Sequence, residues 1–163
     1  MQVWLGFSQV VLWGLAATLI LTLILRGSQA AGLTRMDLPL ILGLILTPDR
    51  ERAKTLGVLV HIINGWLIAF LYAAYFRLLG QPSWESGALL GLLHGLVVLM
   101  VVLPVLPGIH PRMASDATGP EPTRNLQPPG FLGLNYGRQT AIVTLLAHVI
   151  YGLLLGLTLG WQP

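Results

Sequence analysis

Cysteine is absent from the 163 residues. That excludes a disulfide framework, a thiolate metal site and a cysteine nucleophile. Charge is scarce as well: Asp, Glu, Lys and Arg make up 9% of the chain, against roughly 25% in an average soluble domain. Composition therefore excludes an ordinary soluble enzyme, a disordered tail and a nucleic-acid-binding module. No G-x-S-x-G, P-loop, G-x-G-x-x-G or H-E-x-x-H pattern occurs, so no catalytic residue is assigned. No acidic residue falls inside a long apolar run. This argues against a proton-coupled transporter and against a carboxylate-bound metal at depth.

What is present is hydrophobic, at 55% of the chain. Met1–Leu25, Thr55–Phe76, Ser86–Pro111 and Gln139–Pro163 carry no charged residue over 25, 22, 26 and 25 positions. A spanning helix needs about 20 apolar residues, and in hydrocarbon the backbone must satisfy its own hydrogen bonds. The runs do not alternate as barrel strands would. The fold expected is an all-α membrane protein, a four-transmembrane-helix bundle forming one integral membrane domain over 1–163. Spans are placed near 4–25, 55–78, 87–106 and 139–160, with loops at 26–54 and 107–138. The first run has no basic residue before it and exceeds the usual length of a signal-peptide core, so it is read as a retained helix.

Leu38–Thr47 is apolar but too short to cross. It reads as a short interfacial helix in the first loop, capped by Asp37. The following Thr47-Pro48-Asp49-Arg50-Glu51 reads as a helix start, with Thr47 as the N-cap and Pro48 in the first turn. The loop 107–138 is rich in Pro and Gly and is expected to lack regular structure, lying over the inner mouth of the bundle or against a partner. His110, Asp116, Glu121 and Asp37 of the loops could in principle form a metal or catalytic cluster, but their spacing is that of no known site type.

Basic residues orient the chain. Arg26, Arg35, Arg50, Arg52 and Lys54 lie in the first loop and Arg112, Arg124 and Arg138 in the second, with only Arg77 on the other side. By the positive-inside rule both long loops are cytoplasmic and both termini outside, in the cell membrane. Trp4, Trp84 and Trp161 fall on the outer side, where an aromatic belt would sit. The net charge of +3 is thus a topology signal and does not indicate a nucleic-acid partner.

The chain also reads as two hairpins. His61-Ile62-Ile63-Asn64-Gly65 aligns with His148-Val149-Ile150-Tyr151-Gly152, and small residues, Ala69 and Gly156, follow four positions later. Two such hairpins would be related by an axis along the membrane normal, a parallel repeat. Chance likeness among Leu- and Gly-rich helices is the alternative. Gly87, Gly91 and Gly95 form a four-residue stripe, as do Gly152, Gly156 and Gly160; Gly65 lies on another with Gly57 and His61. Small residues on one face let helix backbones approach where lipid gives no hydrophobic drive.

The histidines sit on these seams. At 1.5 Å per residue, His61 lies about 10 Å, His148 about 15 Å and His94 about 18–20 Å from the cytoplasmic ends. Asn64 and Tyr151 join them in a polar belt near the midplane. Three readings follow. The histidines hydrogen-bond across helices as structural glue, worth about 0.6–2 kcal/mol each. Alternatively His61, His94 and His148 bind a cofactor, a haem b or a chlorophyll-type pigment. Or they line a proton or ion path. No spacing matches a specific haem or metal motif, so neither a metal nor a cofactor is required.

Met36-Asp37-Leu38-Pro39 after the first helix and His148-Val149-Ile150-Tyr151-Gly152 at the last resemble segments of uncharacterised bacterial four-helix multi-pass membrane proteins. The resemblance implies a bacterial cytoplasmic membrane and transfers no functional residue. The function expected is that of a small non-enzymatic integral membrane protein, an accessory or assembly subunit of a larger complex. A haem- or pigment-binding bundle and a small channel or carrier are the alternatives. Expected partners are the lipid bilayer and other membrane subunits or a second copy, with no nucleic acid.

Overall fold

The computed structural model describes residues 6–80, 82–117 and 119–160. Each charge-free run carries a helix within the described residues: α1 (Phe7–Ala30), α3 (Arg50–Leu79), α4 (Trp84–Val97) with its continuation, and α6 (Thr140–Gly160). Four helices are long and apolar enough to cross a membrane. The short apolar stretch is α2 (Leu38–Leu46). No strand occurs among the described residues, only isolated bridges. Trp84 is exposed in the first turn of α4; Trp4 and Trp161 lie outside the described residues.

The helix ends differ from the sequence reading. α1 continues past Arg26 to Ala30, because helical hydrogen bonding does not stop where charge begins. Asp37 caps α2 as expected, accepting from the Leu40 N–H at 3.1 Å. Thr47, however, is the C-cap of α2 rather than the N-cap of α3. Asp49 takes that place and accepts from the backbone N–H groups of Glu51 and Arg52. A carboxylate at that position satisfies two orphan donors and complements the helix dipole.

The third span is not uniform. α4 passes into a π-helical turn at Val98–Val102 and then into α5 (Leu103–Ile109). Pro104 has no N–H to offer the carbonyl four residues back. The chain accommodates this by widening: the Leu103 N–H reaches five residues back, to the Val98 carbonyl.

Helix contacts run through small residues. A Cβ added at Gly91 would lie 2.3 Å from the His148 carbonyl oxygen, and one at Gly152 would lie 2.1 Å from that of Gly87. Gly156 and Gly160 meet the carbonyls of Ser83 and Pro82 in the same way. These contacts place α4 and α6 backbone to backbone. Gly14 faces Ala69 and Gly65 faces Thr18 between α1 and α3. α2 lies back along α3, with Gly43 against Ala53 and Gly57 against Pro39. α1 also packs on α6, and the three helices share a core of Leu21, Ala69, Tyr72, Phe76, Tyr151 and Leu155, among others. α3 and α4 are not closely packed against each other.

The two long loops build a second core. Met36, Met113, Leu126 and Tyr136 are buried with Ile41 of α2 and Leu103 of α5. The 107–138 segment holds a 3-10 helix at Phe131–Tyr136 and a bridge between Met113 and Leu126, so it is more ordered than its Pro and Gly content predicts. The Arg35 N–H donates to the Tyr136 carbonyl at 2.8 Å, and the Thr34 and Thr140 hydroxyls pair at 2.7 Å. The loop therefore lies over one end of the helices and is tied to the first loop.

Candidate functional site: a cavity among the helices

A cavity of about 310 Å³ lies among α1, α2, α3, α4 with its π-turn, and α6. His61, Asn64, His94, His148 and Tyr151 all line it. The residues grouped by depth in the sequence thus share one space. Its walls are otherwise mostly aliphatic, with Leu21, Leu25, Ile68 and Val98 among them, and no Asp, Glu, Lys or Arg among the lining residues. This is the usual make-up of a small-molecule site: apolar walls with a few placed polar groups, at the lower end of the ~300–1,000 Å³ range.

Each polar group is positioned differently. His148 is buried, and its Nδ1 donates to the carbonyl of Thr144 one turn back, at 2.7 Å. In the neutral ring this leaves Nε2 as an acceptor. His94 packs edge to face on His148, with ring centroids 4.6 Å apart and planes at 83°. Its Nδ1 also meets the Tyr72 hydroxyl at 3.4 Å. Tyr151 donates to the Gly65 carbonyl at 2.7 Å, linking α6 to α3. Gly65 cannot be larger, because an added Cβ would fall 2.1 Å from the Thr18 hydroxyl. His61 is half-buried on α3, and its Nε2 has no hydrogen-bond partner.

The hydrogen bonds that join helices are mostly not made by histidines. Tyr151 to Gly65 is one, and Trp66 Nε1 to the Val11 carbonyl at 2.8 Å is another. Asn64 is exposed at the centre of α3, and among the described residues its side chain forms no hydrogen bond. Sequence reasoning missed Thr144 and Tyr72. Thr144 stands one turn from His148 on the same face, and that spacing was the available signal.

The packing glycines divide. Gly87, Gly91, Gly95, Gly152, Gly156 and Gly160 lie along the α4–α6 contact, and Gly65 lies at the cavity wall. Among the described residues no group of three His, Cys, Asp or Glu side chains is arranged to hold a metal ion. The loop residues do not gather either. His110 Nε2 donates to the Ile41 carbonyl at 2.9 Å, and its Nδ1 accepts from the Arg112 N–H at 3.1 Å. Asp37 caps α2 and pairs with Arg26 at 3.1 Å. Burial holds the His110 imidazole below its ordinary pKa; the bond to Ile41 opposes this and the Arg112 guanidinium adds to it. Burial also pushes the Tyr136 phenol up to about 12, with Arg35 opposing.

No protein-family model, curated protein or solved structure matches this chain.

Proposed function

We propose that the chain is a small non-enzymatic integral membrane protein that serves as an accessory or assembly subunit of a larger membrane complex. It is a four-helix bundle built from two antiparallel hairpins, α1–α3 and α4–α6, with both ends outside and both long loops cytoplasmic. The observation that carries this reading is the outer face of α3. Leu59, Ile63, Leu67 and Leu71 stand 51–64% exposed at helical spacing, and Asn64 is exposed among them at the middle of the helix. Asn64 stands at the edge of the cavity beside this stripe, and its exposed carboxamide, unbonded among the described residues, calls for a partner outside the chain. Blue native electrophoresis of gently extracted native membranes tests the reading. The expected result is migration within an assembly far above the 17.6 kDa chain; an isolated monomer in every mild detergent would overturn it.

A second reading, a ligand-binding bundle that uses the intramembrane histidines, is favoured by their shared cavity. A haem held between His94 and His148 needs a gap between the rings that takes the iron and the thickness of the flat macrocycle, with a nitrogen of each ring facing the metal. Rings in edge-to-face contact at 4.6 Å leave none. The cavity's own size and lining point to a smaller guest. For the channel or carrier reading, His148→Ala is expected to change flux in liposomes while the helices stay folded.

A further inference from the structure

Two residues lining the cavity, on two different helices, carry a buried polar atom that the fold leaves unsatisfied. The Thr144 hydroxyl on α6 has no hydrogen-bond partner although the residue is only 1% exposed. A threonine in a helix ordinarily bonds the carbonyl four residues back. Thr18, Thr22 and Thr158 do so here, each at 2.7 Å. Thr144 does not, and its own carbonyl is taken by His148. On α3, His61 Nε2 is likewise without a partner. Buried polar atoms are nearly always satisfied, and two orphans lining one cavity call for a common explanation.

The way in is also defined. Leu67 of α3 and Val102 beyond α4 line the cavity and are 61% and 45% exposed. That much exposed surface lies outside the cavity, so both residues stand at a mouth between helices that are not closely packed together. In a membrane this mouth faces acyl chains. The π-turn contributes Val98 and Val102 to the same wall, where its extra width sets the backbone back.

We propose that the cavity binds an uncharged, lipid-soluble molecule with a flat, oxygen-bearing ring, a quinone-type head group, entering sideways between α3 and α4. When the Thr144 side chain turns toward the cavity, its hydroxyl donates to one ring oxygen, and a turned His61 ring brings Nε2 to a polar group elsewhere on the guest. With no charged side chain in its lining, the cavity favours an uncharged guest. The volume admits a single substituted ring rather than a whole lipid. The neighbouring His94, His148 and Tyr151 rings, packed edge to face, supply aromatic edges for such a ring. The inference deepens the ligand-binding reading and rests on membrane insertion, which cysteine labelling tests separately.

The experiment is saturation binding of radiolabelled ubiquinone-1 to the full chain in phosphatidylcholine nanodiscs, with empty nanodiscs as the blank. One saturable site per chain is expected. Thr144→Val should weaken binding about tenfold, the scale of one lost hydrogen bond to a buried group, and Thr144→Ser should restore it. Tetramethylbenzene, a flat ring without oxygens, should not compete. Binding equal to the blank, equal competition by tetramethylbenzene, or unchanged affinity in folded Thr144→Val would each overturn the proposal. Saturable binding of dioleoylglycerol without binding of ubiquinone-1 would assign the cavity to a glyceride and overturn the ring assignment. If Thr144→Val does not fold, the competition on the unaltered chain still decides.

Discussion

At Gly152 a hydrogen sits where any other residue would place a carbon 2.1 Å from the Gly87 carbonyl oxygen. That neighbour is backbone, so relief requires the helices to move apart. Gly152→Ala is expected to lower unfolding stability by about 1–3 kcal/mol, measurable by denaturant titration in detergent. His110 gives the other prediction at this scale. Its folded pKa is depressed below 6.5, so the unfolded chain takes up the proton first. Stability from this contact is full above pH 6.5 and is lost as pH falls below it. Protonated Nδ1 can no longer accept from the Arg112 amide. Hydrogen exchange at Arg112 should therefore accelerate on going from pH 7.5 to 5.5, after correction for the intrinsic rate, and His110→Gln should flatten that dependence. The stripe glycines were legible because spacing alone puts them on one face. The role of His110 was not: its partner is a backbone carbonyl 69 positions away, and carbonyls carry no sequence signal.

At the scale of the element, α2 shows how a short apolar segment finds its place. It is too short to span, so it buries its apolar side against the first half of α3. Contact is closest at Gly43, where an added Cβ would fall 1.7 Å from the Ala53 carbonyl oxygen. Gly43→Val should release α2, costing about 1–3 kcal/mol locally. Amide exchange over Leu38–Leu46 should then rise roughly tenfold while α6 is unaffected. The existence of α2 and of all four long helices was readable from run lengths between charges. Their ends were not, because hydrogen bonding continues through Arg26 and because Asp49 outcompetes Thr47 as a cap. The π-turn was readable only in part: Pro104 announces a missing donor, but not that the ladder would widen rather than break.

For the whole molecule, topology is the most direct test, and the lack of native cysteine makes it clean. Glu85→Cys and Asp116→Cys introduce single thiols at exposed positions at opposite ends of the third span. In intact cells an impermeant maleimide should label the first and not the second, with the second labelled only after lysis. Labelling of both from outside would reject the orientation. The residues that sequence depth grouped together line one cavity, since rise per residue is fixed once helices are known. It did not foresee the cavity itself, which lies where α3 and α4 touch only sparsely, as at Tyr72 and His94. A gap between helices leaves no pattern in either one. The tied loops bear on traffic through the molecule. The Thr34–Thr140 and Arg35–Tyr136 links fasten one end like a stopper. A guest arriving from the side would leave both links intact.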